Sequence, residues 1–353
     1  MIPIAKPFLG VEEQRAVLDV LASGMLAQGP RVKEFEDKFA EYIGVRHAIA
    51  TSNGTTALHT ALLASGIKPG DEVITTPFTF FATASSILHC GAKPKFVDID
   101  ESYNINPALI SEAITAKTMA IMPVHLYGNP CDMKAITEIA DDHNIQIIED
   151  ACQAHGAEHN GKKVGSFGTG CFSFYPTKNM TTGEGGIITT DSNEICRRAR
   201  LLRDHGSEEK YYHQVLGFNH RMTDIAAAIG IEQLKKLDIF STRRINNAMH
   251  LNKKLANMVI TPRVKENTRH VFHQYTIRVK NRDEVASRLR EKGIGTSVFY
   301  PLSVHRQEAL KSYSGQSYPV AEAVAGEALS LPVHPLVSRS DLDIIIDALK
   351  EIL

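Results

Sequence analysis

The chain has 353 residues, with 39 Lys and Arg against 40 Asp and Glu, a formal charge of −1 and 43% hydrophobic residues. That length suggests two domains or one large α/β unit, with enough buried surface to fold without disulfides or metal staples. Balanced charge argues against a nucleic-acid-binding domain, and the composition rules out a disordered or collagen-like chain.

The opening segment, MIPIAKPFLGVEEQRAV, has no apolar h-region and carries early acids, so no secretory signal is expected. No stretch approaches the roughly 20 apolar residues that span a bilayer. The most apolar run, IAAAIGIEQL, is interrupted by Glu232 and Gln233. Cys90, Cys131, Cys152, Cys171 and Cys196 form neither a CxxC pair nor a metal-like cluster. Scattered thiols of this kind fit a cytoplasmic enzyme, with no metal, membrane or nucleic-acid partner expected.

In chain order, strand-like apolar runs lie at 47–52, 72–77, 93–99, 118–126 and 145–150. Helical patterns separate them: TTALHTALLASG, FFATASSILHCG, NPALISEAITA and MKAITEIADDH. Strands spaced by helices predict βαβ units and a mostly parallel sheet covered on both faces. CFSFY and GGIITT then follow as short strands, consistent with sheet-edge or hairpin additions. NEICRRARLLRDHG reads as a helix, and the Pro-free stretch 223–258 as one long helix able to connect two domains. Beyond it, 271–279, 283–293, 296–300 and 341–353 give a βαβ-plus-helix set. The expected division is a large domain over 1–240 and a small C-terminal domain over 241–353.

Ligands of open parallel sheets bind beyond the carboxyl ends of the strands, so the residues just after each strand carry the chemistry. Asn53-Gly54-Thr55-Thr56 follows the first strand and opens a helix, whose free amides suit a phosphate. It serves equally as an ordinary helix cap. GxxxxGK[ST] and GxGxxG are both absent, which disfavours nucleoside triphosphates and NAD. Asp150 ends an apolar strand and needs either a cationic partner or a capping role. Lys178 stands in CFSFYPTKNMTTGEGG. A lysine there is either a solvated charge or a desolvated amine that attacks carbonyls. One ligand explains all three features: pyridoxal 5'-phosphate, with Lys178 as Schiff-base amine, Asp150 on the pyridine nitrogen, and Gly54, Thr55 and Ser173 at the phosphate. Phe80 supplies an aromatic face for the ring, or else a core phenylalanine.

The segments SGMLAQGPRVKEFEDKFA, TSNGTTALHTAL, TTPFTFFATAS, PVHLYGNPCDM, IIEDACQAHGA, FSFYPTKNMTTGEGG and LGFNHRMTDIAAAIGIEQLKKL resemble the DegT/DnrJ/EryC1/StrS family of PLP-dependent sugar aminotransferases. The resemblance runs nearly end to end. It implies fold type I: a large domain with a mostly parallel seven-stranded sheet and a small α+β C-terminal domain. It also implies that Lys178 and Asp150 are catalytic, that Phe80 stacks on the cofactor, and that Thr55 and Ser173 bind phosphate. Gln153 would lie beside the cofactor. Asn219 matches an asparagine that reaches the neighbouring subunit's phosphate, which implies a homodimer with shared active sites; by itself it reads as a turn residue. Tyr300 and His305 fall where the family approaches its nucleotide-sugar substrate. Met25 and His220 depart from the family's usual aromatics near the expected substrate mouth, which bears on substrate identity and not on the reaction.

The implied activity is ping-pong transamination, with glutamate the donor, leaving as 2-oxoglutarate, and a nucleotide-linked ketosugar the acceptor. A related branch of sugar dehydratases carries histidine at the Schiff-base position, whereas this chain has Lys178. The rival readings are a PLP-dependent sugar dehydratase or lyase on the same scaffold, and a non-catalytic PLP-binding regulatory protein.

Overall fold

The computed structural model describes residues 1–313 and 315–353. Two helices come first, α1 (Val11–Ser23) and α2 (Pro30–Ile43), and each ends on a left-handed glycine, Gly24 or Gly44. Next come β1 (His47–Thr51), α3 (Gly54–Ala64), β2 (Glu72–Thr75), α4 (Phe81–His89), β3 (Lys93–Phe96) and β4 (Thr118–Ile121). They are followed by α5 (Met133–His143), β5 (Gln146–Asp150), β6 (Thr169–Ser173), β7 (Gly186–Thr190) and α6 (Asn193–Arg203). The long helix α7 (Asp224–Leu255) runs 32 residues. The chain closes with β8 (Tyr275–Arg278), α8 (Arg282–Glu291), α9 (Pro319–Glu327), β9 (Ala328–Leu331) and α10 (Arg339–Ile352).

Seven strands form one sheet in the order β1-β7-β6-β5-β4-β2-β3. The pairs from β6 to β3 are parallel, while β7 runs antiparallel to both of its neighbours. Side chains alternate across this sheet as the pleat requires. Ala48, Ala50, Phe172 and Ile187 face the layer of α2 and α7, where Phe35, Phe39, Phe174 and Ile231 complete the core. Ile49, Ile148, Cys171 and Ile188 face the opposite layer, against Leu58 and Leu62 of α3 and Ala199 of α6.

Three expectations need correction. CFSFY and GGIITT give β6 and β7, which pair antiparallel as a hairpin but lie inside the sheet and not at its edge, because β1 caps the row by pairing with β7. NPALISEAITA folds as a 3-10 turn, Pro107–Leu109, running into a single helical turn, Ile110–Ala113. TSVFY forms no strand and makes only a bridge between Ser297 and Ser330. The partner of β8 is β9, in antiparallel register from Tyr275–Leu331 to Arg278–Ala328. These two strands, the C-terminal half of α7, α8 and α10 share a core that includes Leu251, Tyr275, Leu289, Leu331 and Ile346. Phe299, Tyr300, Val304, Leu310, Tyr318 and Val324 pack back instead onto the loops beyond β2, β3 and β4, joining Phe78, Tyr103 and Tyr127. Among the described residues, no helix is long and apolar enough to cross a membrane.

Candidate active site

A cavity of about 660 Å³ opens at the carboxyl ends of β1, β5 and β6. Its walls include Gly54, Thr55, Phe80, Asp150, Gln153, Ser173, Lys178 and Tyr300. Eight of the ten residues singled out from sequence therefore share one hollow.

The helix α3 presents its first turn to this hollow. Asn53 caps it, its Oδ1 accepting from the Thr56 amide at 2.9 Å. The Gly54 and Thr55 amides precede the first intrahelical acceptors and stay available to an anion. No side chain fits at position 54: a Cβ there would meet Ser173 Cβ at 2.6 Å and Cys152 Sγ at 3.2 Å. Beneath it β7 passes so closely that a Cβ on Gly186 would lie 2.2 Å from the Asn53 carbonyl oxygen.

Asp150 is buried and held from two sides. Thr83 Oγ1 donates to Oδ2 at 2.7 Å, and the Cys152 amide donates to Oδ1 at 3.2 Å. Thr83 lies one helical turn past Phe80, so α4 supplies both the aromatic face and the hydroxyl that orients the carboxylate. Phe80 is 55% exposed at the N-terminus of α4, its ring centroid 5.9 Å from that of Tyr300.

Lys178 stands in a stapled loop between β6 and β7. Phe174 bonds to the Gly185 and Thr182 backbone, the Lys178 amide donates to the Tyr175 carbonyl, and Asn179 Nδ2 donates to the Val271 carbonyl at 3.1 Å. The side chain is half-buried at the cavity, and its ammonium has no hydrogen-bond or ion-pair partner among the described residues. Surrounding protein pushes its pKa below the ordinary lysine value, against the opposing pull of Cys152 and Asp150.

Gln153 and Tyr300 close the hollow together, Gln153 Nε2 donating to the tyrosine oxygen at 3.1 Å. Gln153 Oε1 accepts from the Tyr127 amide at 2.9 Å, so its carboxamide is fixed at both ends. Burial pushes the Tyr300 phenol well above its usual range.

Two expected residues lie elsewhere. His305 does not reach the cavity: it is fully buried, its Nε2 3.1 Å from Glu322 Oε1, with its ring against Phe96 and Tyr318. The 3-10 turn Val304–Arg306 turns it inward. Asn219 is exposed, bridging Asp204 outside the cavity of its own chain. Of the family departures, His220 stacks on Phe218 at 4.7 Å and touches Thr60, while Met25 is exposed.

The cavity also holds residues that sequence reasoning missed, notably Cys152, Glu184, His273, Gln274 and Phe299. Glu184 was within reach, inside the quoted GEGG. His273 and Gln274 gave no signal beyond the start of a strand. All five cysteines are free. Among the described residues, no group of three or more His, Cys, Asp and Glu side chains could hold a metal ion.

An unpartnered amine, an aromatic face, a buried carboxylate and an anion-ready helix mouth suit a ligand with a carbonyl, a flat ring, a basic ring atom and a phosphate. Pyridoxal 5'-phosphate has all four, and the residues present fit it.

Comparison with known proteins agrees with this chemistry. A model of the DegT/DnrJ/EryC1/StrS aminotransferase family matches residues 7–350. A "Pleiotropic regulatory protein" of Geobacillus stearothermophilus is 45% identical, covering 96% of this chain and 94% of that protein. The GDP-perosamine synthase of Caulobacter vibrioides is 42% identical, covering 100% and 98%. Among solved structures, S. venezuelae DesV in complex with a ketimine intermediate superimposes with a TM-score of 0.95 at 38% identity, covering 99% of this chain and 98% of that one.

Proposed function

Because the chain belongs to the DegT/DnrJ/EryC1/StrS aminotransferase family, we propose that it moves an amino group from glutamate to a nucleotide-linked ketosugar, using pyridoxal 5'-phosphate held around Lys178. The observation that carries this reading is convergence: an unpaired lysine, an oriented aspartate, a stacking aromatic and a free helix mouth all line one cavity. The relative named GDP-perosamine synthase supports a nucleotide-sugar acceptor.

Each residue then has a task. Lys178 holds the cofactor through its amine and moves a proton at Nζ; its lowered pKa favours the neutral form that both tasks need. Asp150, oriented by Thr83 and the Cys152 amide, faces the ring nitrogen. Gly54, Thr55 and Ser173 take the phosphate, Phe80 covers the ring, and Gln153 stands beside it. Asn219 reaches the phosphate of a second copy, giving a homodimer with shared sites. When bound, the cofactor's ring supplies the electron sink for the carbon that loses its proton. Residues 1–240 form the cofactor-binding unit and 241–353 the smaller one, a division supported by the separate core of β8, β9 and α10. The five free thiols support a cytoplasmic location.

The test is a panel of nucleotide ketosugars with glutamate, following 2-oxoglutarate and aminosugar together. Stoichiometric appearance of both is the expected result. Release of ammonia or pyruvate points instead to a dehydratase or lyase. The relative named as a regulatory protein keeps a non-catalytic reading in view; a cofactor spectrum indifferent to glutamate would favour it.

A further inference from the structure

The turn His270–Gln274 is built at visible cost. Phe272 adopts φ +44°, a left-handed conformation that a bulky side chain rarely takes. Its amide donates to His270 Nδ1 at 3.0 Å, and the two rings stack with centroids 3.8 Å apart. The Val271 amide donates to the Gly128 carbonyl, the Gln274 amide to the Tyr127 carbonyl, and Asn179 to the Val271 carbonyl. Arg244, buried in α7, donates from Nη1 to the carbonyls of Phe272 at 3.3 Å and His273 at 3.2 Å. It has no carboxylate partner among the described residues. A buried guanidinium spent on two carbonyls is expensive, and strain of this kind persists only where the surroundings over-determine it.

The turn sets His273 and Gln274 in the cavity wall, both 5% exposed. Gln274 Nε2 lies 3.4 Å from His273 Nε2. Only the amide can donate in that pair, so the imidazole accepts at Nε2, while its buried Nδ1 has no hydrogen-bond partner among the described residues. Burial keeps the ring neutral, reinforced by the charges of Lys178 and Arg244 and by His155. With one of its N–H groups bonded to His273, the Gln274 carboxamide offers Oε1 as its acceptor.

We propose that Gln274, oriented by His273, is a specificity-determining residue that accepts a hydrogen bond from a hydroxyl of the sugar. The inference rests on the aminotransferase reading and adds the side chain that reads the sugar. A site built to bond a hydroxyl rejects analogues lacking it, because its own polar group is left unpaired.

The experiment uses the cofactor-loaded protein. Calorimetry measures binding of the aminosugar-nucleotide product, steady-state kinetics the KM for the ketosugar, and cofactor absorbance the glutamate half-reaction. Gln274→Leu is expected to weaken product binding and raise the ketosugar KM roughly 10-fold, with the glutamate half-reaction within about twofold of the wild type. Gln274→Glu keeps an acceptor oxygen but has no N–H for His273, so it is expected to recover only part of that loss. His273→Phe frees the carboxamide to turn and weakens sugar binding as well. Unchanged sugar binding in Gln274→Leu, or an equal loss in the glutamate half-reaction, overturns the proposal while the aminotransferase reading stands. A wild-type protein that takes no amino group from any donor overturns both.

Discussion

Lys178 and Asp150 line the same cavity with opposite supports. Asp150 receives two hydrogen bonds, whereas the Lys178 ammonium donates none among the described residues and is penalised by burial. A lysine whose folded pKa lies below its unfolded value of 10.5 binds fewer protons in the folded state across the interval between them. Folding stability therefore rises with pH through that interval, and is lowest below it, where the folded protein must carry the buried charge. Without cofactor, Lys178→Met should melt higher than the wild type at pH 7, with the gap closing as pH climbs toward 10.5. Calorimetric scans of both proteins across that range check it, and a gap that ignores pH would refute the electrostatic account. The same variant should lose amino transfer by roughly 10²–10⁴-fold or more, the weight of a positioned general base. Asp150→Asn keeps the fold and still captures cofactor, but should slow amino transfer about 10²–10⁴-fold; near-normal turnover would remove its assigned role.

The same closeness governs whole elements at the mouth of α3. A methyl group at position 54 would press Ser173 Cβ at 2.6 Å, and β6 cannot retreat because β5 and β7 hold it on both sides. Gly54→Ala should cost about 1–3 kcal/mol by overpacking and weaken cofactor binding, read as urea unfolding and spectral titration; intact affinity would separate this turn from the phosphate. This mouth was legible because Asn-Gly-Thr-Thr after an apolar strand is local chemistry. β1 to β5 and α7 were legible for a related reason, since runs apolar on both faces and long Pro-free periodicity are local signals. The places of β6 and β7 were not: two short apolar runs do not say that β1 will close outside them. TSVFY has strand-forming residues, yet its neighbours draw it to the cavity wall, where Tyr300 bonds Gln153. His273 and Gln274 were silent in sequence because their presentation depends on Arg244, about a helix and a loop away. His305 was misplaced by resemblance, its partner Glu322 lying on another element.

At the scale of the molecule, burial of histidines sets a limit in acid, and exposed apolar side chains bear on the proposed homodimer. His155 is fully buried, and burial pushes its pKa down to about 3; His270 likewise falls to about 3. Unfolded, each titrates near 6.5, so between pH 6.5 and 3 the unfolded chain binds the protons and stability drains as pH falls. Each contributes up to about 1.4 kcal/mol per pH unit in that window. Urea unfolding of His155→Leu should therefore show a shallower acid loss than the wild type, and parallel curves would defeat the claim. The exposed segment around Asn219 bears on assembly. Tyr211, Tyr212, Val215 and Leu216, near Asn219 in the chain, are 78%, 68%, 46% and 95% exposed. If Asn219 serves the neighbouring site, Lys178→Ala and Asn219→Ala are each impaired alone, yet a hybrid of the two has one site with both residues intact. After free subunit exchange of an equal mixture, half the dimers are hybrids with one repaired site of two, so about a quarter of wild-type activity should return. Mass spectrometry of tagged chains verifies the exchange, and an inactive mixture with hybrids present would place Asn219 in the service of its own chain.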